Sequence, residues 1–115
     1  MKKKLIISEE GKTNIERLAL TIHVGLLTLL QKNIINIEEA ENYFFSPYSA
    51  EYLKSLDVDE EIVELIWHTC ELENIESLMP EDLLSEINRY RNKSIEIIKS
   101  LPKPNLPTKK WIDRI

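Results

Sequence analysis

Apolar side chains recur at Ile15, Leu18, Ala19, Ile22, Leu26, Leu29 and Leu30, the three-and-four spacing of one helix face. Leu20, Val24 and Leu27 fall off that stripe, so this first helix is apolar nearly all round. Such a pattern marks a buried central helix or part of a subunit contact. Thr13 and Glu16 stand at capping-box spacing and predict its start, while Lys32 and Asn33 predict its end. Gly25 in its middle costs about 1 kcal/mol relative to alanine, and a close helix crossing would account for it.

Further along, Asn36 and Glu39 repeat the capping spacing and predict a short helix through about Phe45. Ser46 and Pro47 read as N-cap and first helical residue of a helix to Leu56. Asp57 and Glu60 predict the start of a fourth helix, with Ile62, Val63, Leu65, Ile66, Trp67 and Cys70 on its inner side. Residues 71–79 lack a clear period. Pro80 opens a last helix, with Glu81 and Asp82 favourable at its first turn. Its apolar face is Leu83, Leu84, Ile87, Tyr90, Ile97, Ile98 and Leu101. Pro102, Pro104 and Pro107 then end it and extend the tail. Leu5, Ile6 and Ile7, before Gly11, suit either an edge strand or an extension packed on the bundle.

These elements predict an all-α fold: a compact bundle of about five helices over residues 1–101, with a Pro-rich basic tail over residues 102–115. Composition supports the class. The 115 residues are 43% apolar and hold only two glycines, too few for the tight turns of an all-β chain. The apolar run at residues 18–30 is too short to span a bilayer, which takes about 20 residues. The three apolar residues after the N-terminal lysines are too few for a secretory segment, which needs about 7 or more. A cytoplasmic protein is the expectation.

Charge is unevenly spread. Residues 1–54 carry seven basic and seven acidic side chains, and residues 55–88 carry eleven acids and no lysine or arginine. Residues 89–115 carry eight bases and two acids. The acidic segment either attracts a basic partner or folds against the basic C-terminal segment and is neutralised there. As an exposed single-sign surface it would also repel nucleic acid, which disfavours a DNA-binding role for the central helices.

Candidate chemistry is sparse. The chain has no phosphate-cradling glycine loop, no nucleophile elbow and no H-E-x-x-H. Glu64 and His68 lie four apart on one helix face, but His23 is the sole further imidazole, so a metal centre would be short of ligands. No cofactor is expected. His23, inside the apolar helix, reads as a satisfied core or interface histidine. Cys70 and His68 are two apart and point to different sides, so Cys70 reads as a buried, inert thiol. Tyr43, Phe44, Phe45, Tyr48 and Tyr52 gather at the junction of two short helices, as core packing or as the wall of a pocket. Lys109, Lys110 and Arg114 surround Trp111, Ile112 and Ile115, which suits docking of Trp111 onto the bundle or onto a partner.

The segment Glu71-Leu72-Glu73-Asn74-Ile75-Glu76-Ser77-Leu78, followed by Pro80, resembles a family of short uncharacterised bacterial helical proteins. That family carries E-L-E-[DN]-[IV]-E-S-L-x-P between its last two helices. Residues 34–48, with an I-x-I-E-E-A-E start and an aromatic-Ser-Pro close, are similar as well. This chain has Thr69-Cys70 where the family more often has Gly-Thr. The resemblance implies an all-helical bacterial cytoplasmic protein and assigns no activity.

Function is therefore expected in binding, not catalysis. The first expectation is a protein-binding module, immunity- or antitoxin-like, that masks a basic partner such as a nuclease. Glu60, Glu61, Glu64, Glu71, Glu73 and Glu76 would face the cation, and Tyr48 and Tyr52 would supply affinity. The alternative is a structural or regulatory homo-oligomer, resting on the excess apolar surface of helix one and on the Trp111 arm. An enzyme built on His23, His68 and Glu64 would require the three to converge.

Overall fold

The computed structural model describes residues 2–104 and 110–112. Pro107, Lys109, Arg114 and Ile115 of the tail expectation lie outside the described residues. Among the described residues the chain is all-α: α1 (Lys12–Gln31), α2 (Ile37–Tyr43), α3 (Pro47–Ser55), α4 (Glu60–Thr69), α5 (Leu72–Leu78) and α6 (Leu83–Ser100), with a 3-10 turn at Pro80–Asp82.

Several boundaries follow directly from local chemistry. The Asn36 side chain accepts from the Glu39 amide at 2.8 Å and opens α2. Ser46 accepts from the Ser49 amide and Pro47 occupies the first turn of α3. Asn33 takes a left-handed φ of 57° after α1, as expected of an asparagine past a helix end. Pro80 starts a 3-10 turn that runs into α6.

Elsewhere tertiary contacts overrule the local signal. The N-cap of α1 is Gly11 at φ 88°, not Thr13, and no side chain caps it. Glu16, expected to reach back to its own helix, is instead buried, and its Oε2 accepts from the Asp59 amide at 2.8 Å. It thereby satisfies an amide at the start of α4. Asp57, expected to cap α4, is a left-handed residue at φ 63°, and Asp59 is the N-cap without a side-chain bond. Residues 71–79, without a clear period in the sequence, hold α5. Cys70 and Glu71 stay right-handed helical, so α4 passes almost directly into α5. Only Leu72 of α5 is buried, with Ile75 partly so, which leaves too few apolar positions to reveal a period.

The long helices α1 and α6 share the most extensive contact, α4 packs against both, and α3 packs on α4. Leu20, Leu27, Phe45, Ile62, Ile66 and Leu72 form the most deeply buried part of the core. Leu84 was expected on the inner face of α6 and is exposed. Gly25 does not mark a helix crossing: a Cβ built there meets nothing within 4 Å.

The segments around Ile7 and Trp111 meet. Ile7 forms an isolated antiparallel bridge with Ile112, and the Ser8 amide donates to the Trp111 carbonyl at 3.1 Å. Trp111 Nε1 donates to Glu9 Oε2 at 2.8 Å. Trp111 and Ile112 therefore dock on the N-terminal arm, and that arm is not a strand of a sheet but an extension that lines a groove with Ile15, Leu18 and Ile22 of α1.

Candidate functional site

Two sets of residues carry chemistry, one inside the bundle and one outside. Inside, His23 joins three helices. Its Nε2 lies 2.7 Å from Thr69 Oγ1 on α4 and its Nδ1 2.5 Å from Ser94 Oγ on α6. The Thr69 hydroxyl donates to the Leu65 carbonyl, so its oxygen accepts from His23 Nε2–H. Nδ1 is then the bare nitrogen and accepts from the Ser94 hydroxyl. Burial drives the imidazole pKa down to about 3, so the ring is neutral at physiological pH. All three side chains are buried, and the ring also packs 5.3 Å from Phe45. His23 is the satisfied core histidine its position suggests. Ser94 and Thr69 were missed, although both occupy apolar register positions of their helices, Ser94 between Tyr90 and Ile97 and Thr69 after Leu65 and Ile66.

The enzyme constellation does not assemble. His68 is exposed and shares a groove with Glu61, Glu64 and Lys93, while His23 is enclosed in the core. Among the described residues no group of three or more His, Cys, Asp or Glu is placed to hold a metal ion. Cys70 is half-buried and its Sγ donates to the Ile66 carbonyl at 3.3 Å. Burial, with the carboxylates of Glu41 and Glu71 nearby, pushes its thiol pKa up to about 11 and leaves it a poor nucleophile.

Outside, the acidic segment makes few ion pairs among the described residues. Glu61 pairs with Lys93 at 2.9 Å and Glu86 with Arg89 at 2.6 Å, the two described links to the basic C-terminal segment. Asp59 pairs with Lys12 of α1. Glu60, Glu64, Glu71, Glu73 and Glu76 are exposed and in no ion pair among the described residues. On the other side of α5, burial and the carboxylates of Glu73, Glu38 and Glu76 raise the pKa of Glu41. Acid side chains thus continue from α4 across α5 to α2.

Trp67 was expected inside and lies instead on the outer side of α4, 36% exposed. It follows Glu60 and Glu64 at helical spacing and precedes Glu71, so one stripe holds an indole between carboxylates. A groove of about 630 Å³ runs beside it, floored by Val58 and Val63 and edged by Glu60, Glu64 and Lys54.

The aromatic corner splits. Phe45 is buried and Phe44 partly so, as core packing requires, whereas Tyr43, Tyr48 and Tyr52 are exposed. Tyr48 and Tyr52 stack with parallel rings 6.3 Å apart on α3. Tyr52 lines a separate groove, against Ile7, Leu18, Ile22 and Phe44. The predicted tyrosines and carboxylates therefore share neighbouring helices but not this groove.

No helix of the described residues is long and apolar enough to cross a membrane. No curated protein and no solved structure matches the chain. A family model, described as a protein of unknown function (DUF3969), matches residues 10–113.

Proposed function

The chain belongs to that family of unknown function, DUF3969, and from its surface we propose that it is a non-enzymatic protein-binding module of the bacterial cytoplasm that masks a basic partner. A reducing compartment suits a chain with a single thiol. The observation that carries the reading is the α4 stripe, where Glu60 and Glu64 stand exposed and unpaired among the described residues beside Trp67. Carboxylates steer a cationic partner and fix its orientation, and a partly exposed indole over an apolar floor supplies the anchor. Glu71, Glu73 and Glu76 extend the negative field over α5, and the Tyr48–Tyr52 pair on α3 adds a second aromatic contact. An immunity- or antitoxin-like role, covering the basic cleft of a nuclease, fits this chemistry.

The test is capture of the partner by tagged protein at low salt, followed by binding kinetics on the purified pair. The association rate is expected to fall at least tenfold between about 50 and 500 mM salt. The double variant Glu60→Lys, Glu64→Lys should abolish capture without lowering the melting temperature. A partner retained by that variant, with a salt-insensitive association rate, would overturn the reading. Recovery of untagged copies of the chain alone would favour a homo-oligomer.

A further inference from the structure

A second site, open to solvent and independent of the acidic face, lies where the segments around Ile7 and Ile112 meet. Between the N-terminal arm, the first turns of α1 and the tail lies a cleft of about 500 Å³, a size typical of small-molecule sites. Its walls are mainly apolar, formed by Trp111, Ile112 and Pro104. The indole is fixed in place, because its Nε1–H is held by Glu9 and its backbone carbonyl by the Ser8 amide. Polar groups converge on the same space: Arg17 and Asn14 from α1 and Lys110 from the tail.

The charges there have work left to do. Arg17 makes one long bond, 3.5 Å from Nη1 to the Pro102 carbonyl, and neither Arg17 nor Lys110 is in an ion pair among the described residues. The carboxylate of Glu9 is engaged by the indole. On a chain of net charge −5, the site brings two cations, Arg17 and Lys110, and one carboxylate, Glu9, around a flat apolar wall. A guanidinium is suited to an oxyanion, two of whose oxygens it can meet with parallel N–H donors.

We propose that this cleft binds a small aromatic anion, its flat ring against Trp111 and its acid group on Arg17 with Lys110 beside it. A neutral molecule of the same shape would leave the two cations unanswered and bind less well. A cation would be repelled.

The probe is 8-anilinonaphthalene-1-sulfonate, titrated into the full chain and followed by the indole N–H signals of Trp111 and Trp67, assigned through Trp111→Phe. The Trp111 signal should move in a saturable way while the Trp67 signal stays. Arg17→Gln is expected to weaken binding at least tenfold, and Lys110→Gln, a change at an exposed side chain, at least threefold. N-phenyl-1-naphthylamine, which lacks the sulfonate, should bind at least tenfold more weakly than the sulfonate. An unmoved Trp111 signal would overturn the proposal. So would sulfonate affinity within twofold of wild type in both variants, each first checked for an unchanged melting temperature. Because Glu60, Glu64 and Trp67 take no part, the outcome is separate from that of the partner-masking test.

Discussion

Gly25 sits in the middle of a 20-residue helix, at an exposed position where an added methyl meets nothing. It carries the entropic cost of a helical glycine without a packing reason. Gly25→Ala should therefore stabilise the protein by about 0.5–1 kcal/mol, read as a rise of a few degrees in a thermal melt. His23 presents the opposite case, a residue that looks out of place and is fully used. Its ring is held neutral in the fold but takes a proton in the unfolded chain near the ordinary 6.5. The unfolded state then binds more protons across the window from about 6.5 down to about 3, so stability falls as pH falls through it. In urea titrations, the stability difference between wild type and His23→Gln should shrink by about 1.4 kcal/mol per pH unit between about pH 5.5 and 4. A flat difference would show that the ring titrates normally in the fold. The network was half legible: the histidine announces itself inside an apolar helix, but its partners lie 46 and 71 residues away along the chain.

Helices α2 and α3 were legible at the scale of elements because their caps are local, a side chain meeting an amide three residues on. Helices α1 and α4 were misread at their starts because their solution is shared. Glu16 of α1 closes an amide at the start of α4, and Lys12 of α1 pairs with Asp59 at 2.7 Å, so the two helix ends satisfy each other. Glu16→Ala should cost about 1–2 kcal/mol by leaving the Asp59 amide without its acceptor. Glu16→Gln keeps a carbonyl oxygen at the same place and should cost less. Equal losses in the two variants, measured by urea unfolding, would mean that packing and not the hydrogen bond sets the value. Helix α5 escaped notice for a different reason, since a seven-residue helix with one buried residue carries almost no periodic signal.

For the whole molecule, the segments around Ile7 and Trp111 are a structural unit that no local pattern announces. Ile7 and Ile112, 105 positions apart, pair as if in a two-stranded ribbon, and Trp111 is held through Glu9. A single bridge of this kind is a weak element on its own, so its persistence depends on the indole. Trp111→Ala is expected to raise the exchange rate of the Ser8 amide at least tenfold while α1 amides keep their protection, as hydrogen exchange read by NMR would show. The charge pattern also reaches its meaning only at this scale. Eleven acids without a base over residues 55–88 could have folded onto the basic segment that follows, but described ion pairs join them only at Lys93 and Arg89. The remaining carboxylates on α4 and α5 face outward.

Periodicity, caps and composition were sufficient by themselves for the fold class, for most helix boundaries and for the buried state of His23, because each of these depends on residues within a few positions of one another. Tertiary structure alone decided that Glu16 serves another helix, that Trp67 faces out among carboxylates, that Ser94 and Thr69 complete the histidine and that a cleft lies where the segments around Ile7 and Trp111 meet. Those outcomes are set by which distant surfaces meet, and helix packing, not local sequence, determines that geometry.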